Sequence, residues 1–157
     1  DHEEHDILAQ TTGRAGGTVP RVMEGDAVLA LQNHVRDVHV SEDLLRWITK
    51  LVRASRPGDG VPDEVRKYVR WGAGPRASQY MVLGAKARAA LHGSPVVRRE
   101  DIAAVAPPVL RHRMKLNFQA EAEGTTVEQI IQEIIHNVDS TLQDSKSREQ
   151  IAKVLRS

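Results

Sequence analysis

The sequence contains no cysteine and very few aromatic residues. Its 157 residues include two tryptophans, two tyrosines and one phenylalanine. Without cysteine, the chain can form neither a disulfide framework nor a thiolate metal site, and it has no cysteine nucleophile. A hydrophobic core must therefore consist mainly of leucine, isoleucine, valine and alanine. There is no signal peptide and no apolar run near the roughly 18 residues of a membrane span, so we expect a cytoplasmic protein.

Several catalytic motifs are also missing. There is no Gly-x-x-x-x-Gly-Lys-Ser/Thr loop to cradle a triphosphate, and no apolar strand ends in the Asp-Glu pair that would hold Mg²⁺. There is likewise no Gly-x-Ser-x-Gly nucleophile elbow. His2 and His5 are three residues apart, whereas the zinc-protease helix places its histidines four apart. We therefore predict no catalytic residue and no metal ligand in this chain.

The composition is typical of a globular domain, but the charge is unevenly distributed. Hydrophobic residues make up 40% and charged residues 27%, with a formal net charge of +1. Acids dominate both ends of the chain, and bases dominate the stretch from Arg46 to Arg76. Such a basic middle could face phosphate on a nucleotide or a nucleic acid. It could equally be an ordinary solvated helix face.

Apolar residues recur at helical spacing through most of the chain. The clearest stripes are Val28, Leu31, Val35 and Val38; Leu44, Leu45, Ile48, Leu51 and Val52; and Val127, Ile130, Ile131, Ile134, Ile135 and Val138. Ser41 is a good N-cap for the second stripe, and Thr126 with Gln129 forms a capping box for the third. We predict an all-α fold, a small bundle of about six or seven helices with negligible sheet.

Three local features lead to further expectations. A short helix should run from Pro62 through Trp71, and Pro107-Pro108 should interrupt the helical turns on either side of it. Trp47 and Trp71 should be core or packing residues. Residues 13–20 contain three glycines and a proline, which is typical of a loop.

The most informative stretch is Gly72-Ala73-Gly74-Pro75-Arg76-Ala77-Ser78, which precedes an alanine-rich helix. Pro75 suits the first turn of a helix, and the two glycines should loosen the backbone before it. Arg76 then lies where free N–H groups and the helix dipole favour an anion. A guanidinium there is suited to phosphate, although an ordinary helix start with a solvated arginine would show the same pattern.

Together with Ala106-Pro107-Pro108-Val109-Leu110-Arg111-His112-Arg113, this stretch resembles the C-terminal lid of MoxR-family AAA+ ATPases. The resemblance extends over roughly residues 23–135. It implies three parts: residues 1–22 as the tail of an ATPase core or a linker, residues 23–136 as the helical lid, and residues 137–157 as a C-terminal helical extension. In place of the family's usual threonine cap before its Glu-Asp pair, this chain has Arg98.

The resemblance implies that Arg76 is the sensor-2 arginine, which contacts the phosphates of ATP. The P-loop, the ligands of Mg²⁺ and the arginine finger would belong to an upstream core in the full-length protein. Family members form rings, often hexamers, and act as chaperone-like factors on partners that include von Willebrand factor A domain proteins. The resemblance assigns no role to Arg111, His112 or Arg113. Nucleic acid is not an expected partner.

A stand-alone helical nucleic-acid-binding or adaptor module is the alternative. A helix-turn-helix reader needs a recognition helix rich in polar and basic side chains. The helix after Arg76 offers few of these: Gln79, Lys86 and Arg88. A P-loop found upstream in the full-length protein would favour the lid interpretation over this alternative.

We expect the 157-residue chain alone neither to hydrolyse ATP nor to bind it appreciably. One arginine at a helix start cannot replace a loop of N–H donors together with Mg²⁺. Isothermal titration calorimetry with Mg·ATP should therefore give no binding heat. Micromolar binding would contradict this expectation.

Overall fold

The computed structural model describes residues 2–12 and 20–154, and for Gln10 and residues 142–154 it describes the backbone only. Residues 13–19 of the expected loop and residues 155–157 of the expected C-terminal extension lie outside the described residues. The described elements are α1 His2–Thr11, α2 Gly25–Asp37, α3 Glu42–Ala54, α4 Asp63–Tyr68, β1 Val69–Trp71, α5 Pro75–Leu91, α6 Arg99–Leu110, β2 Lys115–Leu116, α7 Phe118–Glu123 and α8 Val127–Val154.

The all-α prediction is confirmed, with eight described helices and one two-stranded sheet. The additional helix is α7, which the apolar periodicity did not predict. Asn117 caps its start by accepting the Ala120 N–H at 3.0 Å, and Gly124 ends it with φ +70°. No described helix combines the length and the apolar character needed to cross a membrane.

The chain divides into two units, Asp1–Asn33 and His34–Ser157. Helix α1 lies in the first unit, whereas α2 continues past Asn33 into the second. Of the predicted stripe, Val28 and Leu31 are exposed and Val35 is half-buried, whereas Val38, directly after α2, is buried in the core. The hydrophobic core belongs to the second unit.

Helices α3 and α8 contribute several of the large apolar side chains of this core. Ser41 caps α3 as predicted by accepting the Leu44 N–H, and the buried residues of α3 are Trp47, Ile48, Leu51 and Val52. In α8, Ile130, Ile131, Ile134 and Val138 are buried. The predicted capping box of α8 is also present, with the Thr126 N–H donating to Gln129 at 2.8 Å. The backbone of α8 continues through the polar residues after Ser140.

Helices α5 and α6 pack closely through small side chains. The buried residues of α5 are Ala77, Met81, Ala85 and Ala89, which follow one another at four-residue spacing. A Cβ placed on Gly84 would lie 3.5 Å from Val105 of α6, in van der Waals contact. Alanine and glycine therefore allow the two helix backbones to approach one another.

The expectation that Pro107-Pro108 would interrupt the helix is wrong. Helix α6 runs unbroken through both prolines to Leu110. The prolines lie near its C-terminal end, and the Arg111 N–H still donates to the Pro107 carbonyl at 2.9 Å. Ala106 and Leu110, which flank the pair, are fully buried. Tertiary packing thus holds a helix that local propensity disfavours.

The predicted helix from Pro62 through Trp71 is wrong in its last turn. Helix α4 ends at Tyr68, and β1 pairs antiparallel with β2, with Val69 opposite Leu116 and Trp71 opposite Lys115. The β1 partner is remote in sequence, so helical periodicity alone could not predict the pairing. Trp47 is in the core as expected, whereas Trp71 is 64% exposed because this short strand leaves it facing solvent.

An exposed polar cluster joins α4 to α7. Glu123 Oε2 accepts from the Tyr68 hydroxyl at 2.6 Å and from Lys67 Nζ at 2.9 Å. These two bonds, with a third from Gln119, lower the pKa of Glu123 from 4.5 to about 2. The carboxylate is therefore charged at neutral pH and connects both helices.

Asp101 performs two functions at the start of α6, although it is only 6% exposed. One carboxylate oxygen accepts the Arg98 N–H at 2.9 Å and so caps the helix from its third residue. The other lies 3.4 Å from Nε of Arg88 on α5. The missing threonine cap at Arg98 is thus compensated by a carboxylate that also links α6 to α5.

Asp101→Ala should lower the free energy of unfolding by about 2–3 kcal/mol, because it removes the cap and leaves a half-buried cation without its partner. Asp101→Asn keeps an acceptor for the Arg98 N–H and should cost about 1 kcal/mol. Urea unfolding monitored by circular dichroism measures both. The matched control is Glu100→Gln, an exposed acid in the same turn, with an expected change within about 0.5 kcal/mol. Equal losses at Glu100 and Asp101 would refute this assignment.

Candidate functional site

The helix predicted after Gly74 begins where the sequence indicated. Gly74 is the N-cap in extended conformation, Pro75 is the first helical residue, and Arg76 is the second. The Arg76 side chain is exposed. The expected position of Arg76 in a first helical turn is therefore correct, while its role remains a prediction.

Two consecutive residues at the end of α3 fix the loop before this helix. The fully buried Ser55 hydroxyl donates to the Val52 carbonyl at 2.7 Å and accepts the Ala73 N–H at 3.0 Å. Arg56 Nε donates to the Ala73 carbonyl at 2.7 Å. Both backbone groups of Ala73 are thus bonded to α3's C-terminal end, an arrangement that we call the Ala73 clamp. Ser55 and Arg56 carried no sequence signal for it, because both simply follow the helix end.

Gly72 is required by this close approach rather than by backbone flexibility. A Cβ on Gly72 would lie 2.3 Å from the Ser55 carbonyl oxygen and 2.6 Å from Arg56 Cα, both backbone atoms. A Cβ on Gly74 would meet nothing within 4 Å, and Gly74 has φ −86°. The expectation that both glycines loosen the backbone is therefore replaced by a steric requirement at Gly72 alone.

The start of α5 has an unusual charge pattern. The other seven described helices each have an aspartate or glutamate in the first turn, where a negative charge offsets the helix dipole. Helix α5 has none and has Arg76 instead. Among the described side chains, Arg76 forms no ion pair with a carboxylate. Both the helix dipole and the guanidinium at this end therefore favour an external anion.

The exposed face of α5 continues from Arg76 with two large side chains. Tyr80 and Leu83 follow at four and seven residues and are 48% and 38% exposed. The Arg113 guanidinium, from the segment after α6, lies 4.9 Å from the centre of the Tyr80 ring. Arg111 is paired with Glu128 instead. Sequence reasoning missed Tyr80, although its spacing from Arg76 was visible.

No group of three or more histidine, aspartate or glutamate side chains in the described part of the chain is arranged to hold a metal ion. The arrangement at α5 can attract and orient an anion, but these side chains include no nucleophile beside a general base. The exposed cation at the start of α5 is Arg76.

Comparisons with known proteins show what this chain is similar to. Residues 63–134 match the family model described as the AAA lid domain. The chain is 30% identical over 141 residues to Chaperone MoxR1 of Mycobacterium tuberculosis, covering 87% of the chain and 36% of that protein. It is also 30% identical over 148 residues to the uncharacterized protein YeaC of Bacillus subtilis, covering 94% of the chain and 44% of the relative.

A solved structure supports the same assignment. The crystal structure of a candidate ATPase from Cytophaga hutchinsonii superposes with a TM-score of 0.73 at 32% identity, over 87% of this chain and 42% of that one. The helical domain is a MoxR-like AAA+ lid. The chain spans less than half the length of each of these relatives.

The Ala73 clamp of the lid can be tested with a pair of glycine substitutions. Gly72→Ala should lower the free energy of unfolding by about 1–3 kcal/mol, because the new methyl group overlaps backbone atoms of Ser55 and Arg56. Gly74→Ala should stay within about 0.5 kcal/mol, since a small N-cap cost and a small entropy gain oppose each other. Thermal and urea denaturation of both variants measure the difference. Equal stability would show that the loop is not held as described.

Proposed function

We propose that this lid closes over ATP bound by a core elsewhere in the same protein, and that Arg76 is its sensor-2 arginine. The observation that carries the proposal is the start of α5, an exposed arginine in a first turn without an acid. In that position a guanidinium and free backbone N–H groups are directed toward the same anion. A phosphate group of ATP fits this combination because it accepts two parallel hydrogen bonds from arginine.

The Ala73 clamp supports a mechanical role for this arginine. Ser55 and Arg56 tie the start of α5 to the end of α3, so a force on Arg76 is transmitted to the lid core through short hydrogen bonds. A phosphate contact that differs before and after hydrolysis would give the lid different affinities for the two nucleotide states. Such a difference is what a conformational switch requires.

In this proposal the core supplies the P-loop, the Mg²⁺ ligands and the arginine finger, and the lid supplies Arg76. The full-length protein is then an ATPase that assembles into a ring, often a hexamer in this family. Its activity would be chaperone-like, directed at partner proteins such as those with von Willebrand factor A domains, in the cytoplasm. Residues 1–22 would connect core and lid, and residues 137–157 would form a C-terminal helical extension.

Arg76→Ala in the full-length protein should reduce ATP turnover at least tenfold. A lost charge-assisted phosphate contact is worth about 1.5–3 kcal/mol, and about 1.4 kcal/mol corresponds to a factor of ten in rate. Arg76→Lys should restore activity only in part, because an ammonium is a point charge and cannot bind bidentately. Steady-state ATPase assays measure all three proteins.

Two controls separate this function from a structural role. The stability of the 157-residue chain should change by less than about 0.5 kcal/mol with Arg76→Ala, because the side chain is exposed. Arg70→Ala removes another exposed cation, which lies in β1 before Gly72, and should leave turnover near the parent value. If Arg76→Ala destabilises the chain while the full-length variant keeps full turnover, Arg76 is structural.

A further inference from the structure

A groove of about 720 Å³ lies between α3, the loop after α3 and α8. Its lining includes residues 42–61 in part and Asn137, Val138 and Thr141 of α8. Arg76 does not line it. The groove is a second surface, although Arg56, which lines it, also donates to the Ala73 carbonyl before α5.

One wall of the groove is a row of cations along α3. Arg46, Lys50 and Arg53 are spaced four and three residues apart, so they share one exposed helix face. Arg46 is paired with Glu42, with 3.3 Å between Nε and Oε1. Lys50 and Arg53 form no ion pair with any carboxylate whose side chain the structure describes. They therefore give this wall a net positive charge.

The floor of the groove is apolar. Leu45, Ala54 and Val61 line it and are half-buried, and Val138 of α8 lines it from the core. No aromatic side chain is among the lining residues. An occupant of this groove would gain by placing aliphatic side chains on the floor and negative charges against Lys50 and Arg53.

We infer that this groove binds an acidic peptide segment of a partner protein, with leucine-like side chains between its carboxylates. The charge of the wall selects an acidic ligand, and the aliphatic floor selects a peptide over a nucleic acid. Nucleic acid binding without base reading depends on phosphate contacts and on aromatic platforms for the bases. The groove has cations, but its lining provides no platform on which a base could stack.

The test uses a fluorescein-labelled peptide of alternating glutamate and leucine residues and fluorescence anisotropy with the 157-residue chain. We expect saturable binding that weakens as salt is raised. The double variant Lys50→Glu/Arg53→Glu should weaken binding at least tenfold. A second peptide with serine in place of leucine should bind the parent at least fivefold more weakly, because it leaves the floor uncovered.

The matched control is Arg70→Glu/Lys115→Glu, which reverses two exposed cations of β1 and β2. Its net charge is the same as that of Lys50→Glu/Arg53→Glu. Its affinity should stay within twofold of the parent. Lys50→Gln/Arg53→Gln serves as a milder variant if charge reversal disturbs α3, and circular dichroism verifies the fold of each protein.

Three outcomes would overturn the inference. In the first outcome, the parent does not bind the peptide. In the second, both double reversals weaken binding equally, which would indicate bulk charge rather than the groove. In the third outcome, a single-stranded oligonucleotide would bind the parent more tightly than the peptide and lose affinity in Lys50→Glu/Arg53→Glu. The groove would then be a nucleic-acid surface.

Discussion

The position of Arg76 in this lid depends on the pair of hydrogen bonds that fix Ala73. A buried serine and a neighbouring arginine satisfy the N–H and the carbonyl of the same residue, two positions before α5 begins. Such bonds are individually modest, but leaving buried backbone groups without partners would be costly. The clamp therefore fixes where α5 starts, and with it the position of Arg76 in the first helical turn. Gly72 is the steric condition for this approach.

The composition of α5 explains why the same helix can both pack against α6 and present large exposed side chains. Its buried side is mostly alanine, which lets α6 approach closely, while Arg76, Tyr80 and Leu83 remain on the exposed side. A helix with large residues on both sides would stand farther from α6. Small residues on one face thus keep the helix deep in the lid while its larger side chains stay accessible.

Charged residues connect the remaining helices in a similar way. The Arg99 guanidinium lies 4.5 Å from the centre of the Trp47 ring, and its Nη1 is 2.9 Å from Asp139. One side chain of α6 therefore contacts both α3 and α8, the two helices that border the basic groove. Asp101 connects α6 with α5 by its ion pair to Arg88. These contacts hold both candidate surfaces, the start of α5 and the groove, on one set of packed helices.

The sequence alone determined the helical fold, the caps of α3 and α8, the core stripe of α8 and the position of Arg76, because all of these depend on residues within a few positions of one another. Only the tertiary structure decided the rest. The strand at Val69–Trp71 needs a partner far along the chain, and this strand leaves Trp71 exposed. Helix α6 runs through Pro107-Pro108 because buried neighbours hold it. Likewise, the roles of Ser55, Arg56 and Gly72 depend on the contact between the end of α3 and the start of α5. Contacts between segments that are far apart in the sequence produce no local periodicity, so a periodic pattern cannot predict them.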